Sequence, residues 1–237
     1  MLTPLEWDAL RVSLIVGARA TVIALPLAVF LAWLLATKRF PGKSFLDAVV
    51  HAPMVLPPVV VGYLLLLFLG LRSPVGGFLF EHFGIRLAFT SGGASLASGL
   101  MALPLMVRAV RLSIAAIDPG LDVAARSLGA TPFDRFWNIT LPLAAPGIVA
   151  AAIIGFAASL GEFGAIITFA ANVPGETQTL PLAIYAALQQ PDGDLAALRL
   201  CGISIALAIA GLAGAEYFTQ RQRAWIDGDT RTFDAAR

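Results

Sequence analysis

The sequence predicts an all-α protein, a polytopic membrane helical bundle of about five spans, and three observations predict it. Of its 237 residues, 58% are hydrophobic and only 13% are charged, against about 45–50% and about 25% in ordinary soluble domains. The apolar residues form long runs with at most one charge each. Lysines and arginines concentrate in alternate connections between these runs. Lipid must therefore cover much of the apolar surface.

Five runs have the length and composition of a spanning helix, which needs about 20 mostly apolar residues. In chain order they are 12–37, with Arg19 as its one charge; 48–71, uncharged; 90–107, uncharged and short; 144–171, with Glu162; and 195–215, with Arg199 near its start. The apolar run 180–188 is too short to span, so we expect a packed or partly inserted helix. One domain, 8–220, then contains all the spans, and a polar tail follows at 221–237.

The distribution of lysine and arginine predicts the orientation, because these residues remain on the cytoplasmic side. They cluster in the first loop, in the loop between the third and fourth runs, and in the tail. The residues are Lys38, Arg39, Lys43, Arg108, Arg111, Arg126, Arg135, Arg221, Arg223, Arg231 and Arg237. We therefore expect the N-terminus outside, at the periplasmic face, and the C-terminus in the cytoplasm.

The loop between the third and fourth runs has the pattern of two short capped helices. Asp118 and Pro119 are typical of an N-cap and a first helical residue, and Gly129 is a residue that ends a helix in the left-handed conformation. Thr131 and Pro132 repeat the starting signal. Pro142 is expected to end the second helix before the fourth span.

Each of these two helices is amphipathic. Leu121, Ala124, Ala125 and Leu128 share one face of the first helix at helical spacing, and the second carries three aromatic residues at 133, 136 and 137. Two interpretations fit this pattern equally: a helix pair lying on lipid, or a docking element for a soluble partner. The small alanines favour docking, because they let a backbone enter a groove closely.

Two features lie deep in the predicted spans. Pro57 and Pro58 interrupt the second span, as part of a gate or as a packing kink without a gating role. Glu162, between Gly161 and Gly164, must face protein or a wet pathway because a charge in lipid is costly. We favour a structural anchor that pairs with Arg19 or bonds across helices over a ligand for an anion, although Arg19 could instead face an anion path.

Several kinds of function are excluded. The one cysteine, Cys201, and two distant histidines, His51 and His82, offer neither a disulfide framework nor a metal or catalytic site, and the net charge of +1 does not indicate nucleic-acid binding. Gly42-Lys43-Ser44 ends like a phosphate-binding loop, but that motif needs a glycine where Thr37 stands. We expect no catalytic residues, metal or cofactor, and no ATP bound by this chain.

The loop resembles the cytoplasmic signature of binding-protein-dependent ABC permeases. The resemblance rests on Ala124-Ala125-x-x-x-Gly129, followed after nine residues by Ile139-x-Leu141-Pro142. In that family this loop is the coupling helix that enters a cleft of a separate ATPase subunit, so the six fixed residues are the candidates for coupling. The family usually has glutamate before the alanines, and here Val123 stands in its place.

Other stretches are similar to those of molybdate permeases, namely 40–43, 56–63, 159–164 and 172–177. The resemblance implies a type I ABC importer permease in the bacterial inner membrane that passes molybdate, and tungstate with it. Its implied partners are an ABC ATPase subunit, a periplasmic molybdate-binding protein and a second copy of the chain. The candidates for the pathway or gate are Pro57, Pro58, Ser159, Gly161, Glu162 and Gly164.

Three alternatives remain open from the sequence. Sulfate/thiosulfate permeases share the 159–164 stretch, so sulfate is the first alternative substrate. A secondary transporter driven by an ion gradient would need coupling-ion ligands at the midplane and often inverted repeats, and only Glu162 offers such a ligand. A membrane scaffold without transport has no feature in its favour.

Overall fold

The computed structural model describes residues 3–211, 213 and 214, and the regular structure within them is entirely helical. The helices are α1 (Pro4–Thr37), α2 (Lys43–Val55), α3 (Pro58–Leu69), α4 (Pro74–Phe83), α5 (Ser91–Ala115), α6 (Pro119–Ser127), α7 (Pro132–Arg135), α8 (Leu141–Leu160), α9 (Gly164–Phe169), α10 (Leu180–Leu188) and α11 (Asp194–Gly211). A π-helical turn, Phe136–Thr140, joins α7 to α8. The predicted tail at 221–237 lies outside the described residues.

Helix α1 is longer than the sequence predicts. Thr3 caps it, and the Glu6 side chain completes a capping box, so the helix begins eight residues before the apolar run. Its 34 residues extend about 51 Å at 1.5 Å per residue, well beyond the roughly 30 Å hydrocarbon core. Arg19 donates to the hydroxyl of Ser91, the first residue of α5. Arg19 is therefore level with the end of the bundle, and the residues after it can cross the membrane.

Small residues bring α1, α5 and α8 into close contact. Ala20, Ala24 and Ala28 form a buried row along α1, and a Cβ added at Gly99 of α5 would lie 3.1 Å from the Ala20 carbonyl oxygen. On α8, a Cβ at Gly155 would lie 2.6 Å from Met106 Sδ. Membrane helices without a hydrophobic drive to associate use small residues in this way to gain packing contacts. These three helices hold the largest buried cluster of the described chain.

The second predicted span, 48–71, is interrupted at Pro57 and Pro58 as the sequence predicts, but by a sharp turn and not by a kink within one helix. Helices α2 and α3 meet at 116° across Leu56 and Pro57. Each of these two residues precedes a proline, which drives it into the extended conformation, and both have ψ near the extended value, at 141° and 134°. Two consecutive extended residues end one helix and start another in a new direction, whereas a kink would leave a single continuous helix. The pair can form one broken span, so the described helices provide four spans or up to five.

The fourth predicted span, 144–171, is also broken. Helix α8 ends at Leu160, and α9 begins only at Gly164. Helix α9 then packs against α3, so the two broken segments lie together. Neither break follows from hydropathy, because both fall inside continuous apolar sequence.

Helices α10 and α11 pack on the N-terminal half of α1. Ala9 of α1 is buried with Leu180 and Ala183 of α10 and Leu200 of α11. Helix α10 has the bounds that the sequence predicts for the short apolar run. Only 11% of the residues of α11 are buried, so most of this helix is free to contact lipid or another protein.

Candidate functional site: an exposed loop and two helix breaks

The loop between α5 and α8 has the capped geometry that the sequence predicts. Asp118 Oδ1 accepts a hydrogen bond of 2.8 Å from the Gly120 amide, at the start of α6. Gly129 has φ +82°, the left-handed conformation that ends this helix. Thr131 and Asp134 form a capping box at α7. The predicted structure of the loop, two short helices separated by a glycine, is therefore confirmed.

The apolar side chains of this loop are exposed. No residue of α6 or α7 is buried, and Leu128 and Phe133 are 88% and 69% exposed. Val123 is 60% exposed. An ion pair between Asp122 of α6 and Arg135 of α7 holds the two short helices together. The loop is a defined apolar surface that the rest of the described chain does not cover.

The end of the second loop helix differs from the prediction that Pro142 stops it. The chain continues from α7 through the π turn into α8, and Pro142 and Pro146 both lie within α8. Proline clashes with the carbonyl four residues before it in a regular α-helix, and for Pro142 that residue is Asn138, inside the wider π turn. Of the candidate coupling residues, Ile139 therefore lies in the π turn and Leu141 and Pro142 begin α8, whereas Ala124 and Ala125 lie on α6.

The two helix breaks lie against each other. A Cβ added at Gly164 would lie 2.8 Å from Pro58 Cβ and 3.1 Å from the Val59 nitrogen. One turn further, a Cβ at Gly62 would lie 2.7 Å from the Ala165 carbonyl oxygen. Glycine at both positions permits this approach, so the structure joins the proline break to the glycine break.

Four candidates for the pathway or gate lie in these two breaks or within a few residues of them in the chain. Glu162 is half-buried, and its Oε1 accepts a hydrogen bond of 2.9 Å from the Ala165 amide at the start of α9. Ser159 is 2% exposed, and its hydroxyl has no hydrogen-bond partner among the described residues. Pro57 and Pro58 are exposed. The pairing of Glu162 with Arg19 is wrong, since Arg19 bonds Ser91 at the end of the bundle.

Three ion pairs between separate elements had no signal in the sequence. Arg199 of α11 binds Glu6 of α1 at 2.8 Å, and Arg111 of α5 binds Asp47 of α2 at 3.0 Å. The third is the pair between α6 and α7. Their partners are 193, 64 and 13 residues apart, so only the folded chain brings them together. Among the described residues, no three histidine, cysteine, aspartate or glutamate side chains lie close enough to hold a metal ion.

Comparison with known proteins identifies a family and close relatives of this chain. The family model described as "Binding-protein-dependent transport system inner membrane component" matches residues 24–224. The chain is 51% identical over 223 residues to the molybdenum transport system permease protein ModB of Escherichia coli K12, covering 94% of this chain and 97% of that protein. It is 47% identical over 219 residues to the ModB of Haemophilus influenzae, covering 92% and 96%.

A solved structure shares the fold. It is a bacterial alginate ABC transporter in complex with an alginate pentasaccharide-bound periplasmic protein, with a TM-score of 0.73 and 19% identity over 92% of this chain and 80% of that chain. The predicted all-α fold of a type I ABC importer permease is confirmed. The chain belongs to the family of binding-protein-dependent transport system inner membrane components, and it is a permease subunit of an ABC importer.

Proposed function

We propose that this chain forms the membrane passage of an ATP-driven importer that carries molybdate, and tungstate with it, into the bacterial cytoplasm. The observation that carries the proposal is the identity of about half of all residues with molybdenum transport permeases over nearly the whole chain. Tetrahedral oxyanions of this kind are dianions. A passage for them needs only brief contacts, because a tight site would release its ion slowly.

The exposed α6–α7 loop supports coupling to a separate ATPase subunit. Its apolar side chains have no cover from the described chain, while its caps and the ion pair between Asp122 and Arg135 hold it in shape. Such a rigid projection can transmit motion from a soluble partner. Ala124, Ala125 and Gly129 would then enter the ATPase cleft, and Ile139, Leu141 and Pro142 would connect this movement to α8.

The orientation follows from the same loop. The loop lies with the basic ends of α1, α2 and α5, which we call the basic end of the bundle, and we place this end in the cytoplasm of the bacterial inner membrane. The N-terminus is then periplasmic, where a molybdate-binding protein delivers the anion. The tail at 221–237 would follow α11 into the cytoplasm, after a single transmembrane domain over 8–220.

Two copies of the chain are the natural assembly. Pro57 and Pro58 lack amide hydrogens, so the carbonyl groups of Pro53 and Met54 have no helical donor in α3. In lipid such groups need cover by protein or by a wet cavity, yet the turn at residues 56–58 is exposed in one copy. A second copy that packs on α3 would enclose the two breaks, with Ser159, Gly161 and Glu162 beside the passage.

The transport mechanism is alternating access. Binding of ATP closes the ATPase pair and shifts the equilibrium between the inward-open and outward-open states of the permease. The contact of α3 with α9 is the candidate gate, because there the chain can turn without breaking a continuous helix. Selection of the anion belongs mainly to the binding protein, since the described spans have no cluster of arginines at their centre.

The test is uptake of labelled molybdate into vesicles that contain the permease with its ATPase subunit and binding protein. We expect uptake that requires ATP, competition by tungstate and weak competition by sulfate. Equal competition by sulfate would favour the sulfate/thiosulfate alternative. Uptake without ATP that collapses with the ion gradient would show a secondary transporter instead.

A further inference from the structure

A charged cavity of about 630 Å³ lies at the basic end of the bundle. The end of α1, the start of α2, the end of α5 and the α6–α7 loop form its walls. Five basic side chains line it: Lys38, Lys43, Arg111, Arg126 and Arg135. Only two carboxylates, those of Asp118 and Asp122, share the lining, so the cavity has an excess of positive charge.

Local contacts neutralise part of this charge. Arg111 pairs with Asp47, and Arg135 pairs with Asp122. Lys38, Lys43 and Arg126 form no ion pair with any carboxylate in the part of the chain that the structure describes. Arg135 also has a buried Nε without a hydrogen-bond acceptor among the described residues. A buried donor of this kind is costly unless an acceptor reaches it.

The backbone adds to the positive field. Lys43 is the first residue of α2, and no side chain caps this helix. The free amides of a helix N-terminus attract anions. The Gly42-Lys43-Ser44 segment, which does not match a nucleotide-binding loop, therefore still places a lysine and a helix start together at the cavity.

Two aromatic side chains, Trp33 and Phe136, also line the cavity. Trp33 lies near the end of α1, and its ring contacts Phe136 at a centroid distance of 5.1 Å. Lys38 Nζ lies 5.1 Å from the Trp33 ring centroid. Tryptophan and lysine at the end of a spanning helix are typical of the headgroup level of a bilayer. An amphipathic anion fits this combination of basic and aromatic side chains better than a small ion in bulk water.

We infer that this cavity binds a phosphate-type oxyanion group, with the headgroup of an anionic phospholipid as its main source. Free phosphate or the imported oxyanion has the same charge and acceptor chemistry. The occupant would connect Lys38 and Lys43 to Arg126 of the α6–α7 loop and so hold this loop in its docking position. Binding depends on the cavity alone, whereas any effect on transport rests on the proposed function.

The experiment uses the full-length permease with its co-purified ATPase subunit in nanodiscs. One set contains phosphatidylcholine alone, and the other contains an equal mixture with phosphatidylglycerol. Native mass spectrometry counts the retained phosphatidylglycerol, and thermal unfolding reports stability. In phosphatidylcholine nanodiscs, titration with inorganic phosphate or molybdate tests whether a soluble anion occupies the cavity. If these ions raise the unfolding temperature of the wild type but not of Lys43→Gln, the site is supported with a soluble occupant.

The variant Lys43→Gln should weaken retention of phosphatidylglycerol about fivefold, because one basic group near an anionic surface contributes that much attraction. Lys43→Arg should restore it. Arg72→Gln, at an exposed residue outside this cavity, is the matched control and should not change it. Equal unfolding temperatures in phosphatidylcholine establish that the variants fold.

Two results would overturn the inference. If neither phosphatidylglycerol nor any free oxyanion binds more weakly to Lys43→Gln than to Arg72→Gln, the cavity is not an anion site. If lipid binds the isolated permease but leaves when the ATPase subunit docks, the cavity belongs to the subunit interface. If the unmutated permease retains lipid normally but transports no molybdate, the proposed function fails and the lipid site stands.

Discussion

Two glycines, Gly129 in the α6–α7 loop and Gly164 at the start of α9, are required for opposite reasons. Gly129 has φ +82° and nothing within 4 Å of an added Cβ. The backbone conformation therefore favours glycine there, whereas the packing would accept a side chain. At Gly164 a Cβ would collide with Pro58. The loop is thus a shaped but uncovered surface, whereas Gly164 lies in a filled contact between the two helix breaks. The difference teaches that an exposed loop and a packed helix contact can each require glycine through a separate kind of constraint.

The largest effect is expected at the filled site. Gly164→Ala should destabilise the protein by about 1–3 kcal/mol, the usual range for overpacking, because α3 must move away from α9. Gly62→Ala, one turn along the same contact, should behave alike. The measurement is the unfolding free energy or midpoint in detergent, together with molybdate uptake.

The matched control is Gly202→Ala on α11, where nothing lies within 4 Å of the new Cβ. We expect it to be neutral or slightly stabilising, since alanine favours helix over glycine. If Gly164→Ala were as well tolerated as Gly202→Ala, the two breaks would not be in close contact.

Gly129→Leu should leave membrane insertion intact and uncouple ATP hydrolysis from transport. The left-handed conformation costs an ordinary residue about 1–2 kcal/mol, and the side chain would project from the docking surface. ATPase activity and uptake, measured on the same vesicles, give the coupling ratio. Normal transport by this variant would contradict the docking assignment.

Gly84→Leu separates backbone strain from docking. Gly84 also has positive φ, at +65°, with open space around its Cβ, but it ends α4, away from the α6–α7 loop. It should cost similar stability and leave the coupling ratio unchanged. A fall in coupling for both variants would assign the effect to strain alone.

The substitution Glu162→Leu should cost about 0.5–2 kcal/mol, as does the loss of a side-chain cap, because the Ala165 amide loses its acceptor. Glu162→Gln keeps an oxygen there and should be milder in both unfolding and uptake. An equal loss in the two variants would show that the charge, and not the hydrogen bond, is required.

The smallest effect is expected at the pair that joins α1 to α11. Arg199→Gln should cost under about 1 kcal/mol, because the arginine side chain is 44% exposed and water screens the attraction. Glu6 keeps its hydrogen bond from the Thr3 amide. A double-mutant cycle with Glu6→Gln measures the coupling, and a value well above this range would mean that the pair is shielded in the assembly.

Hydropathy predicted the five apolar runs, and capping chemistry predicted the loop in detail. Asp118, Gly129 and Thr131 behave as their local preferences require, because these bonds join residues only a few positions apart. The N-terminal limit of α1 was missed although Thr3 and Glu6 spell a capping box in the sequence. Pro57 and Pro58 predicted the interruption after Val55 but not its angle of 116°. The break after Leu160 was predicted as continuous helix, since periodicity and hydropathy do not register a turn inside an apolar run.

The sequence by itself determined that the chain is a membrane bundle, where its apolar segments lie, how both loop helices begin and where the first of them ends. These properties depend on composition and on bonds between near neighbours. Only the tertiary structure decided that Gly164 packs on Pro58, that Arg19 bonds Ser91 and not Glu162, and that Lys43 shares a cavity with Arg126. Such contacts join residues distant in the chain, and their geometry is set by the packing of whole helices.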